Sequence, residues 1–158
     1  MAAVLSPYAC VSGQCAKTFT APYRGTDGSV PIPLALSTTT AVPVSPVPYT
    51  VYLPKCGACM VKFSGFLVTG EVTANLPADV PMYLSYVNTA VPSVVMEQAV
   101  PVFTTLPDAA GVAIPVTLSQ ALNLPAGTYA FTVNVGPFVG AAPLTLGVAG
   151  TLNISWIK

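Results

Sequence analysis

The sequence predicts an all-β fold: a single antiparallel sandwich of eight strands preceded by an extended N-terminal arm. Three observations carry that prediction. Seventeen prolines and twelve glycines punctuate the 158 residues, and nowhere does an unbroken window place apolar residues at i, i+3, i+4 and i+7, as a half-buried helix requires. Apolar and polar residues alternate with period two instead, the mark of a strand with one face in a core. The third observation is an internal repeat. Shifting the chain by 82 residues aligns Val30-Pro-Ile-Pro-Leu-Ala-Leu-Ser37 with Val112-Ala-Ile-Pro-Val-Thr-Leu-Ser119, and 8 of the 25 positions in 30–54 and 112–136 are identical.

Taken in order, residues 1–29 show no sustained alternation and contain Gly13, Pro22, Gly25 and Gly28. They are expected to form an arm, lying across a neighbouring subunit or trailing as a free tail. The body, 30–158, opens with strand candidates at 30–37 and 49–53, the second following a stiff proline-rich run that begins at Pro43. Further candidates fall at 61–74, 82–88, 94–103 and 112–118. The clearest two close the chain: Tyr129, Phe131, Val133 and Val135 alternate with polar or small residues, as do Leu144, Leu146, Val148, Leu152, Ile154 and Trp156. Strands this short, joined by turns such as Leu124-Pro-Ala-Gly127 and with no helices between them, belong to a sandwich or barrel. Pro33 and Pro115 occupy equivalent places in the repeat, where a missing N–H is tolerated only at a sheet edge or bulge.

Eight antiparallel strands in two facing sheets make a jelly roll. The segment from Ala121 to Val135 and the long closing strand ending in Ile154-Ser-Trp-Ile157 resemble the C-terminal half of tumour-necrosis-factor/C1q-like jelly rolls. They are also similar to cement and head-fibre proteins of tailed phages with that architecture. The resemblance covers roughly the last fifty residues and implies a homotrimer around an apolar axis, with no catalytic set to carry over. An immunoglobulin-like sandwich is the rival, but its Cys…Trp…Cys order is missing, because Trp156 follows every cysteine.

Charge narrows the function. Five cationic and five anionic residues make the chain 6% charged with net charge zero, where ordinary domains carry about 25%. Ten charges cannot cover the surface of a solitary domain of this size, and zero net charge removes intermolecular repulsion. Self-association is the expectation. Nucleic acid fits poorly, since the arm offers only Lys17 and Arg24 to phosphates. No membrane helix is expected: the uncharged stretch 109–157 is broken by Pro115, Pro125, Pro137 and Pro143. The N-terminus lacks the basic, then apolar, pattern of a signal peptide.

Four cysteines stand in two close pairs, Cys10-Val-Ser-Gly-Gln-Cys15 and Cys56-Gly-Ala-Cys59. A structural zinc held by Cys10, Cys15, Cys56 and Cys59 would staple the arm to the body. Disulfides and unliganded thiols are the competing arrangements. The chain contains no histidine, which removes the commonest general base and the Ser-His-Asp and Cys-His pairs. No P-loop or GxGxxG is present. Asn153-Ile-Ser155 matches a glycosylation sequon, but its place in a regular strand reads as chance. Tyr8, Tyr23, Tyr83 and Tyr86 offer faces for sugar stacking, although tyrosines in β-proteins more often simply pack.

The sequence therefore predicts a non-enzymatic structural protein of a virion. It would act as a capsid-surface cement or decoration subunit, self-associating and contacting the major capsid protein or neighbouring virion subunits. The alternative is a receptor- or glycan-binding head of a fibre or secreted adhesin.

Overall fold

The structure is a computed structural model that describes residues 9–11, 14–20, 34–36, 40–44, 48–69, 78–98, 100–107, 109, 111–137 and 144–157. Twelve strands lie among the described residues: β1 (Ala9–Val11), β2 (Gln14–Thr20), β3 (Leu34–Leu36), β4 (Val42–Pro43), β5 (Tyr49–Leu53), β6 (Gly57–Thr69), β7 (Ala78–Asn88), β8 (Met96–Glu97), β9 (Val102–Leu106), β10 (Ala113–Leu124), β11 (Gly127–Val135) and β12 (Leu144–Ile157). They form two sheets in which every pairing is antiparallel. Sheet A runs β1-β2-β12-β6-β10, with β3 also on β12; sheet B runs β4-β11-β7-β8, with β5 on β11 and β9 on β7. The chain passes back and forth between the sheets, from β5 (B) to β6 (A), β7 (B), β10 (A), β11 (B) and β12 (A). The result is an all-β, two-sheet sandwich of jelly-roll-like connection.

Each of the eight predicted intervals overlaps a strand, with 30–33, 37 and 70–74 outside the described residues. The count differs for physical reasons. Interval 94–103 divides into β8 and β9, because Pro101 has no N–H to continue a ladder. At the break the Gln98 side chain stands in for backbone: its Oε1 accepts from Leu84 N at 3.2 Å and its Nε2 donates to Val100 O at 2.9 Å. Within 1–29, β1 and β2 form a hairpin, and β2 pairs with β12 from Gln14↔Ile157 to Thr20↔Thr151. In the repeat, 34–36 and 113–124 lie in sheet A, while 49–53 and 127–135 lie in sheet B. Pro115 lies on β10, which ends the strand path of sheet A; Pro33 is outside the described residues.

The core is a single apolar cluster drawn from both sheets. Sheet A contributes Val61, Phe63, Leu67, Val148, Leu152, Ile154 and Trp156; sheet B contributes Val51, Leu53, Met82, Leu84, Phe131, Val133 and Val135. Alternation along β6 and β11 turns Val61, Phe63, Leu67, Phe131, Val133 and Val135 inward, while the outward positions of β6 carry Lys62 and Ser64 but also Met60 and Phe66. Asn153 of the sequon lies in β12, flanked by β2 and β6, and is half-buried.

Two local devices close the core. Gly65 and Gly150 are cross-strand partners on β6 and β12. A Cβ on Gly65 would run into Ala149 O, and one on Gly150 would meet Ser64 O at 2.5 Å and the Phe63 ring at 3.0 Å. The two backbones approach where no side chain fits. Thr69, a buried hydroxyl at the end of β6, donates to Ala109 O at 2.6 Å and accepts from Val112 N at 2.9 Å. It ties the β9–β10 connection to the sheet.

Candidate functional site

The candidate site lies at one end of the sandwich. Two corners lie there, because Leu124 of β10 pairs with Gly57 while Gly127 of β11 pairs with Leu53. The β7–β8 loop closes over the same end. Asn88 starts that loop with an Asx turn, its Oδ1 accepting from Ala90 N at 3.0 Å. Thr89 N then donates to Thr128 O at 2.9 Å. Val94 N closes a turn onto Val91 O at 3.1 Å, with Pro92 at the position that proline favours.

Between loop and corner lies a cavity of about 430 Å³, lined by Tyr86, Asn88, Val91, Val94, Met96, Asn123, Leu124, Pro125 and Tyr129. Its size falls within the ~300–1,000 Å³ of small-molecule sites, and mostly apolar walls with a few polar groups are their usual composition. Val91, Val94 and Met96 are each about half exposed, at 49%, 52% and 49%.

The floor is rigid. Phe131 packs against both tyrosine rings, at centroid distances of 5.8 Å to Tyr86 and 6.4 Å to Tyr129. The Tyr129 hydroxyl donates to Pro125 O at 2.9 Å and so pins the β10–β11 corner. Gly127, at φ +152°, lies under Asn88, whose Nδ2 is 3.2 Å from where a Cβ would stand. A side chain there would push that amide out of place. Burial raises the Tyr86 pKa, with smaller contributions from Tyr129 and Cys59. Its phenol therefore stays neutral and can donate.

No lining residue carries a formal charge. Among the described residues, no three His, Cys, Asp or Glu side chains converge.

That finding overturns the predicted zinc centre at Cys10, Cys15, Cys56 and Cys59. Cys15 is disulfide-bonded, while Cys56 is an exposed and Cys59 a buried free thiol. Cys10 faces Cys15 in the β1–β2 backbone register, and its side chain is outside the described residues. Trp156 is the Cα partner of both Cys15 and Cys59, which puts those two cysteines two strand spacings apart, ~9–10 Å. Thiolates sharing a zinc at ~2.3 Å each must lie far closer. Cys56 lies just before β6 and is exposed, whereas Cys59 points inward from β6 and is buried. Burial pushes the Cys59 thiol up to about 11, which keeps it protonated.

Of the four tyrosines noted in the sequence, Tyr86 lines the mouth pocket. Tyr83 lines a smaller hollow of about 250 Å³ with Glu97, Gln98 and Pro101; Tyr8 and Tyr23 are outside the described residues. Asn88, Asn123 and Tyr129 carried no functional reading in the sequence. Tyr129 sits in an apolar alternation and reads as core, and Asn88 and Asn123 come to line one cavity only through the fold.

No protein-family model matches the chain, and no curated protein sequence matches it. Among solved structures, it is similar to a chain in the structure of infectious bursal disease virus Gx strain, with TM-score 0.57 and 8% identity over 90% of this chain and 32% of that one. The Gt strain of the same virus gives TM-score 0.57 and 8% identity over 91% and 32%. A structure of Eiger TNF from S. frugiperda aligns over 96% of this chain and 90% of that one, with 11% identity and TM-score 0.41. The chain thus spans about a third of the virus chains it matches, and at this identity the likeness to them is one of fold.

Proposed function

We propose that this domain is a recognition head: a non-enzymatic β-sandwich of a virion or other extracellular surface that binds a glycan or receptor in its mouth pocket. The observation that carries the reading is the pocket itself. Uncharged and largely apolar, it is backed by two tyrosines packed on Phe131 and counts Asn88, Asn123 and Tyr86 among its lining residues. Rigid aromatic surface with a few convergent polar groups is what a weakly binding recognition site needs. The fold likeness to the virus chains supports a virion setting by analogy alone.

A glycan array probed with the intact chain tests the reading. Retention of a family of neutral glycans is expected, and Val94→Asp, which places a charge in the pocket wall, should abolish it. A blank array together with no binding to host-cell surfaces would remove the reading.

A second reading is favoured by a different observation. Val95, Met96, Val100 and Phe103 are exposed at 55%, 49%, 73% and 65% around β8 and β9, on a chain with ten charges. Such a surface suits a self-associating structural subunit, a homotrimer set against a capsid protein, and a head domain can also assemble in this way.

A further inference from the structure

Building on the reading of the mouth pocket as a glycan site, we infer that it takes a neutral N-acetylated amino sugar. The acetyl methyl lies against the apolar wall, and the amide pairs with Asn88 and Asn123. The argument starts from what the wall rejects. Val91, Val94, Met96, Leu124 and Pro125 offer no hydrogen bonds from their side chains. A plain hexose carries hydroxyls around its whole ring, and those turned to this wall would lose water without gaining a partner. An anionic sugar is worse served, because no cationic side chain lines the cavity. A purely aliphatic ligand suits the wall but buries the polar groups beside it unpaired.

Those polar groups are of a matching kind. Asn88 Oδ1 is engaged by Ala90 N, which turns its Nδ2 donor toward the Gly127 corner, where it lies 3.2 Å from the position a Cβ would take. Asn123, exposed at the end of β10, brings a second amide, with both donors and an acceptor. The Tyr86 phenol, held neutral, adds a donor. An acetamido group has a methyl for the wall, a carbonyl for Nδ2 or the phenol, and an N–H for the Asn123 oxygen. The sugar ring then lies toward the open mouth, where its hydroxyls keep water.

The test titrates the intact chain with three probes by calorimetry and ligand-observed NMR: N,N′,N″-triacetylchitotriose, the glucose trimer of the same linkage, and a sialylated trisaccharide. The chitotriose should bind with its acetyl methyls most strongly saturated, and the glucose trimer should be weaker by about tenfold or more. Val94→Asp should remove chitotriose binding; Asn123→Ala should weaken it without changing the unfolding midpoint. Val100→Asp, exposed and outside the pocket, should leave it unchanged. Equal binding of the glucose trimer, lost in Val94→Asp, would overturn the N-acetyl assignment but keep the recognition reading. Chitotriose binding that survives Val94→Asp would overturn the pocket as its site. Failure of all three probes together with a blank glycan array would overturn both readings.

Discussion

Single residues hold more of this fold than their chemistry suggests, and Thr69 is the clearest example. Its hydroxyl serves Ala109 O and Val112 N at once, while its backbone pairs with Val112 O and Gly111 N. Thr69→Val keeps the volume and leaves that carbonyl and N–H without their partner. Equilibrium urea unfolding should show a loss of about 1–3 kcal/mol with an unchanged m-value, and Thr69→Ser should restore most of it. Cys59 tests the core from another side. Its thiol is raised from 9.0 to about 11 by burial. Below pH 9 both folded and unfolded chains keep the proton, so the group adds no pH dependence. Between pH 9 and about 11 the unfolded chain ionises first, and stability should fall with rising pH across that window. Cys59→Ala should flatten that part of the profile. Under native conditions at pH 8, peptide mapping after alkylation should find Cys56 modified and Cys59 intact. The sequence made Phe131 and Leu152 legible as core, since alternation reports burial directly. The cysteine arrangement is not legible in the spacing, because only the strand register, with Trp156 between them, separates Cys15 from Cys59.

Elements show where alternation succeeds and where it stops. The inward series of β12 is visible as Val148, Leu152, Ile154 and Trp156, with a gap at Gly150 that hydropathy cannot interpret. The gap is structural: Gly150 faces Gly65 where the β6 and β12 backbones approach, beneath Phe63. Gly150→Ala should therefore cost at least the ~1–3 kcal/mol typical of overpacking, since the atoms in its way are backbone and cannot rotate aside. Thermal unfolding would measure it. An unfolding midpoint equal to wild type would mean the strands are not this close. The β1–β2 hairpin is not legible in the sequence, because the charged Lys17 shares the parity of Cys15 and Phe19. The β8–β9 break was hidden because its ladder continues through the Gln98 side chain, a substitution that no periodicity records. The mouth pocket was illegible for a related reason. Its walls come from β7, β8, β10, β11 and two connections, and each lining residue has an ordinary local context.

For the whole molecule, composition and structure point to association. A chain with net charge zero and 6% charged residues has little electrostatic repulsion to keep copies apart. Val100 at 73% and Phe103 at 65% exposure, with Val95 at 55%, gather around β8 and β9. Apolar residues in such a cluster mark interaction surfaces more often than scattered ones do. The chain is therefore expected to self-associate at micromolar concentration, and the double variant Val100→Glu with Phe103→Glu to shift it toward monomer. Both positions are exposed, so the unfolding free energy should change by no more than about 0.5 kcal/mol. Sedimentation equilibrium of wild type and variant separates the cases. A wild-type monomer would remove the structural-subunit reading and leave the recognition head to stand alone. An oligomer that survives both glutamates would place the interface elsewhere, with the outward-facing Tyr52 and Phe66, exposed at 63% and 48%, as the next positions to charge. An oligomer broken by them, with glycan binding intact, would show that assembly and recognition use separate surfaces.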